Sequence, residues 1–105
     1  MGARNIADSF DMLIVALCAD FDRRDRALSG GNLERSVEME YRYYNYKIYQ
    51  AAAEVVGAPE ARMYINDIGA RRGYASSSVE AISDTTYKRR KSEVFGNIAR
   101  MLHLK

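Results

Sequence analysis

The residues with the clearest chemical capacity are four consecutive lysines and arginines at positions 88–91, directly after two threonines at positions 85 and 86. Basic side chains neutralise phosphates, and hydroxyl groups donate hydrogen bonds to phosphates or to base edges. Four consecutive basic residues cover all sides of a helix, so about two of them would face a duplex at once. With nearby arginines and serines, the run predicts a nucleic-acid contact surface made of Arg71, Arg72, Ser76, Ser77, Thr85, Thr86, Lys88, Arg89, Arg90 and Lys91.

The charge of the chain is distributed unevenly. Residues 1–57 carry 7 Lys and Arg against 9 Asp and Glu, a net charge of −2, whereas residues 58–105 carry 9 against 5, a net charge of +4. This asymmetry favours an acidic scaffold followed by a basic surface that can meet a polyanion. The alternative interpretation is that the basic run is only the solvated face of a helix.

The segment from Asp67 to Ile82 has the pattern of a helix-turn-helix. In that motif a small residue lets two helices approach, a glycine adopts the left-handed conformation of the turn, and apolar residues fix the angle between the helices. The exposed part of the second helix can then enter the major groove. The residues that fill these roles are Ile68, Gly69, Gly73, Tyr74, Val79 and Ile82.

A second register of the motif starts at Ser83. The serine is followed by a Thr-Tyr pair at 86–87, the basic run, and apolar residues at Val94, Ile98, Ala99 and Leu102. This order resembles the end of the region-four-like helix-turn-helix of ArpU-type phage transcriptional regulators and sigma-like proteins, and it covers roughly the last 40 residues. The resemblance implies sequence-specific binding of double-stranded DNA in transcription regulation, in a phage or mobile element, with RNA polymerase as a further candidate partner. The two registers remain alternatives.

Tyrosines are concentrated between positions 41 and 49, which hold five of the eight in the chain. They point several ways around one helix, and glutamates flank them, which disfavours a stacking platform for single-stranded nucleic acid. Tyrosine is enriched at protein interfaces because its body is apolar and its tip polar. We therefore predict an interface, and with it a homodimer, at Tyr43, Tyr46 and Tyr49, while Tyr41 and Tyr44 pack inside. The alternative function is a non-enzymatic all-α adaptor that binds a protein partner through this helix.

The sequence contains no pattern typical of an enzyme or of a metal site. Asp20, Asp22 and Asp25 lack the glycine and the bidentate glutamate of a calcium loop, and intrahelical ion pairs with the neighbouring arginines explain them better. His103 is the only histidine, and Cys18 lies in an apolar stretch typical of a small core residue. We expect no catalytic residue, no metal and no cofactor.

The apolar spacing predicts an all-α fold. Ile6, Phe10, Leu13, Leu17, Phe21 and Leu28 predict one helix, and Leu33 to Val55 predict a second, with Asn32 as its N-cap. Two long helices joined by a short turn form an antiparallel hairpin over residues 1–57, a candidate dimerisation arm. Gly57 ends the second helix and Pro59 starts a third. Residues 58–105 then form the helix-turn-helix unit, whose last helix is capped by Ser83 or Asp84.

The length and the composition limit the kinds of protein that this chain can be. A chain of 105 residues with 48% apolar residues and one proline fits a folded small protein. One cysteine excludes an intramolecular disulfide, and no secretory signal pattern is present, so we expect a cytoplasmic protein. The longest apolar stretch, Met12 to Ala19, is much shorter than the roughly 20 residues that cross a bilayer.

Overall fold

The computed structural model describes residues 2–72 and 82–103, with side chains from residue 11 onward. These residues form helices and their connections and include no strand, which confirms the all-α prediction. No helix among them combines the length and apolarity needed to cross a membrane. The helices are α1 Gly2–Ala19, α2 Phe21–Gly30, α3 Arg35–Val56, α4 Ala58–Ala70 and α5 Asp84–Met101.

Most helix ends follow from local chemistry. Gly57 has φ 86° between α3 and α4, a conformation that suits glycine, and Pro59 occupies the first turn of α4. The Ser83 hydroxyl accepts a 3.1 Å hydrogen bond from the Thr86 amide and caps α5. These three predictions are confirmed. The N-cap prediction at Asn32 is wrong, because α3 starts at Arg35 and Glu34 occupies the cap position.

The first predicted helix is two helices, and a buried polar network explains the break. The Arg24 side chain is 4% exposed and donates to the Leu17 carbonyl at 2.5 Å and to Asn45 Oδ1 at 2.7 Å. The Asn45 amide nitrogen donates to the Phe21 carbonyl at 3.1 Å. The Leu17 carbonyl lies in the last turn of α1, where carbonyls lack intrahelical partners, so the Arg24 side chain stabilises a chain that breaks at Asp20. Asn45 ties α3 to Arg24 and to Phe21 on the other side of the break.

This network gives a prediction for Asn45. Replacing Asn45 by alanine leaves the buried Arg24 Nε without its acceptor, and we expect a loss of about 2 kcal/mol in the free energy of unfolding. The control is Asn32→Ala, which removes an exposed asparagine that caps nothing and should cost less than about 0.5 kcal/mol. Urea denaturation of both variants measures the difference. Equal losses would show that Asn45 is not needed for the break.

One hydrophobic core joins the helices on both sides of Gly57. Helix α3 packs against α2, α4 and α5, while α1 packs chiefly against α4. The hairpin contacts expected between one long first helix and α3 are therefore made mainly by α2. The phase of α1 also differs from the prediction, since Leu13 is 43% exposed and Ile14 is buried, whereas the buried Cys18 agrees with its expected place in the core. The buried apolar residues are Ile14, Cys18, Phe21, Ile48, Ala51, Ala52, Ala61, Tyr64, Ile65, Ile68, Tyr87, Val94, Ile98 and Ala99.

Gly69 lies where α4 touches α1. A Cβ atom at this position would lie 2.5 Å from the Ala19 nitrogen and 2.8 Å from the Cys18 carbonyl carbon. The sequence pattern predicts that Gly69 lets the two helices of a helix-turn-helix approach each other. In the described structure, its missing side chain lets α4 approach the end of α1.

Candidate nucleic-acid interface

The end of α4 and the first turns of α5 bring basic side chains together. Lys91 donates a 2.6 Å hydrogen bond to the Arg72 carbonyl and so joins the two segments. Arg71, with a left-handed φ of 57°, ends α4 and lines the same open groove as Lys91. We call Arg71, Arg72, Lys88, Arg89 and Lys91 the basic surface. Its cations come from two segments that are separated in sequence.

The side chains of the basic surface differ in their exposure and in whether they already have an acidic partner. Arg71 and Arg89 are exposed, and neither has an acidic partner among the described residues. Lys88 pairs with Asp84 at 3.2 Å, but both side chains are more than half exposed. Exposed pairs contribute little stability, so a phosphate can replace Asp84 as the partner of Lys88 at small cost. Arg71, Lys88 and Arg89 are therefore the cations best placed to meet a polyanion.

Arg72 is held by a buried carboxylate. Its Nε lies 3.2 Å from an oxygen of Asp67, whose side chain is 3% exposed. The other oxygen of Asp67 accepts a 2.9 Å hydrogen bond from the Tyr87 hydroxyl, and the Tyr87 ring is fully buried. Arg72 thus links α4 to α5 through Asp67 and Lys91. It has a structural role in addition to the charge that it adds to the basic surface.

Arg90 faces another side of α5. It lies 3.7 Å from Glu60 at the start of α4, next to the buried Tyr64. Burial raises the pKa of Tyr64, and the nearby Arg90 charge opposes that shift. Because Tyr87 faces the core, Lys88 and Arg89 point outward, while Arg90 contacts α4 and Lys91 contacts the segment directly after it. Two of the four consecutive cations thus point away from the core, as the helical period predicts.

The predicted hydroxyl contacts divide in the same way. Thr85 is exposed near the start of α5. The Thr86 hydroxyl accepts a 3.0 Å hydrogen bond from Ser83 within the helix cap, so it has a structural partner. Ser76 and Ser77 lie outside the described residues, together with Gly73, Tyr74 and Val79 of the first register. The helix of the second register is α5.

The tyrosines of α3 have different surroundings. Tyr43 and Tyr46 are 46% and 63% exposed. Tyr49 is 38% exposed, and its hydroxyl donates to the Ala58 carbonyl at 3.3 Å. Tyr44 is half-buried against the core, and Tyr41 lies under the Arg23 guanidinium, 5.6 Å from its ring centre. The sequence missed Met39, which is 61% exposed beside Tyr43 and Tyr46, because an isolated methionine gives no signal of its own.

The acidic cluster and the single cysteine have structural roles. Asp22 and Asp25 both pair with Arg62 of α4, at 3.0 and 2.7 Å, so the expectation of intrahelical partners for them was wrong. Asp20 does pair within its own segment, with Arg23 at 3.2 Å. Burial raises the pKa of the Cys18 thiol to about 12, which keeps the thiol protonated at neutral pH. Within the described part of the chain, no group of His, Cys, Asp and Glu side chains could hold a metal ion.

Comparison with known proteins adds no family to these observations. No family model, no curated protein and no solved structure matches the chain. The function must therefore be argued from the side chains and their geometry.

Proposed function

We propose that this protein binds double-stranded DNA through the basic surface and acts in transcription regulation. The observation that carries the proposal is the position of Arg71, Lys88 and Arg89, which are exposed next to the Lys91–Arg72 junction. Cations from two chain segments can contact phosphates on both sides of a groove, and the start of α5 also presents the hydroxyl of Thr85. Origin in a phage or mobile element and contact with RNA polymerase belong to the same proposal and rest on the resemblance alone.

The strength of binding follows from the number of free cations. About three phosphate contacts give a slope of about −3 in the logarithm of the binding constant against the logarithm of the salt concentration. Such a surface binds any duplex weakly. Sequence specificity then requires contacts to base edges, for which Thr85 and the outward face of α5 are candidates.

A titration of labelled duplex fragments with the whole chain at two salt concentrations tests this proposal. We expect binding at low salt that weakens by more than tenfold when the salt is raised fourfold, because neutralised phosphates release counterions. Absence of binding at low salt, where non-specific attraction is strongest, would overturn the proposal.

The alternative function is a protein adaptor that works through α3. The observation in its favour is the exposure of Met39, Tyr43 and Tyr46 on one face. Aromatic and methionine side chains are enriched in the cores of protein interfaces. If the protein is an adaptor, substitution of these three residues should abolish binding of its protein partner. Substitution of Lys88 and Arg89 should leave that binding unchanged. The same face is the proposed site of homodimer formation, which is compatible with DNA binding.

A further inference from the structure

A stripe of large side chains runs along α3 on the side opposite the core. Met39, Tyr43 and Tyr46 are spaced by four and three residues, so they lie above one another on one helix face. Ile48 and Ala52 occupy the opposite face and are fully buried. Both faces of α3 therefore carry apolar surface, and the described residues cover only one of them. We call Met39, Tyr43 and Tyr46 the outer stripe.

The outer stripe is too apolar for an ordinary helix surface. Its three side chains are 61%, 46% and 63% exposed, and Leu28 of α2 extends the apolar surface beside them. Contiguous exposed apolar side chains with a polar rim are typical of protein contact sites. The spacing of four and three residues is also that of the seam between two paired helices.

Charges on one flank of the outer stripe indicate the partner. Glu40 and Lys47 are seven residues apart, so they lie on the same flank two helical turns from each other. Neither forms an ion pair with another described residue. Lys47 instead lies over the Tyr43 ring, 5.8 Å from its centre. The flank thus carries, at one end, a negative charge that has no ion-pair partner among the described residues, and at the other end a positive charge that has none.

We propose that the outer stripe binds a second copy of this chain, with the two α3 helices antiparallel and the two-fold axis close to Tyr43. In a two-fold contact each surface faces its own copy in reverse order. Glu40 of one copy then lies beside the partner's Lys47, and Lys47 beside the partner's Glu40. The arrangement pairs both charges twice and covers the outer stripe with itself.

Two observations favour this arrangement over others. In a parallel pair the flank of Glu40 and Lys47 would lie beside the partner's other flank, where Arg42 is already paired with Glu38, so the two unpaired charges would not meet each other. On the other flank, Arg42 is already neutralised by Glu38 at 2.8 Å, so it does not repel a second copy strongly. Tyr49 lies outside the proposed seam, since its hydroxyl binds Ala58. The inference refines the proposed self-association and does not depend on DNA binding.

The test is a charge exchange measured by analytical ultracentrifugation of the whole chain without DNA. The wild-type chain should sediment as a dimer. Glu40→Lys and Lys47→Glu should each weaken dimerisation by about tenfold or more, because each creates two like-charge pairs per dimer. The double variant, with both charges exchanged, should dimerise like the wild type. An equimolar mixture of the two single variants should form heterodimers for the same reason.

Controls separate this result from unfolding and from a general charge effect. Circular dichroism should show unchanged helix content in every variant. Glu93→Lys makes the same charge change at an exposed position of α5 and should leave dimerisation unchanged. A monomeric wild type at high concentration would overturn the inference. Single variants that dimerise like the wild type, or a double variant that fails to recover, would overturn the antiparallel pairing. Each of these outcomes leaves the duplex titration to decide DNA binding separately.

Discussion

Replacement of Gly69 by alanine should destabilise the protein by about 3 kcal/mol or more. The added Cβ would lie 2.5 Å from the nitrogen and 2.6 Å from the Cα of Ala19. These are backbone atoms of α1, which cannot turn away as the end of a side chain can. Either α1 must move off α4, which opens the core around Cys18 and Ile68, or the clash remains. Chemical denaturation should show a lower midpoint with an unchanged slope.

Gly96→Ala is the matched control for this variant. Gly96 lies inside α5, is exposed, and would place its Cβ with no atom within 4 Å. Alanine is the better helix former by about 1 kcal/mol, so this variant should be as stable as the wild type or more stable. Two glycine-to-alanine changes in helices are thus expected to have opposite signs. If Gly69→Ala were also neutral, α1 would not approach α4 as closely as described.

Asp67→Ala should cost about 3 kcal/mol in the free energy of unfolding. The variant removes the acceptor that lies 2.9 Å from the buried Tyr87 hydroxyl, and it removes the carboxylate that pairs with Arg72. Both losses fall at the contact between α4 and α5, where the Tyr64 and Tyr87 rings stack with centres 5.5 Å apart. Thermal and chemical denaturation measure the loss.

Two further variants show which property of Asp67 matters. Asp67→Asn keeps an oxygen that can accept from Tyr87 and should recover part of the stability. Asp25→Ala breaks an ion pair with Arg62 in which both side chains are about half exposed, and it should cost less than about 1 kcal/mol. A loss for Asp67→Ala as small as that for Asp25→Ala would contradict the structural role of the buried carboxylate.

Helix boundaries that depend on local chemistry were predictable from the sequence. Gly57, Pro59 and Ser83 act through their own conformational or hydrogen-bonding preferences, so their positions suffice to place the ends of α3, α4 and α5. The break at Asp20 was not predictable in this way. It depends on Arg24 reaching Asn45, 21 residues away in sequence, and an arginine in a charged segment looks like a surface residue.

The residue types of the candidate site were predictable from the sequence, but the contacts that each side chain makes were not. The basic run identified the right part of the chain, but not that Arg90 pairs with Glu60 or that Lys91 binds the Arg72 carbonyl. Those contacts require the orientation of α5, which the burial of Tyr87 fixes. The exposure of Tyr43 and Tyr46 was predictable from the cluster of tyrosines, whereas the exposure of Met39 was not, because a single methionine has no such pattern around it.

DNA binding by the basic surface is tested most directly by two variants that remove the same charge from different places. Lys88→Ala with Arg89→Ala removes two outward cations of α5 and keeps Arg90, which pairs with Glu60 of α4, and Lys91, which binds the Arg72 carbonyl. Arg26→Ala with Arg35→Ala removes two exposed arginines from α2 and α3, which have no acidic partner among the described residues. Both double variants lower the net charge equally.

The measurement is the salt dependence of duplex binding for the wild type and the two double variants. The basic surface predicts that the slope falls in magnitude by about 2 when Lys88 and Arg89 are removed, and stays at the wild-type value when Arg26 and Arg35 are removed. Equal slopes for the two double variants would show that the chain responds only to its net charge and would contradict binding at the basic surface.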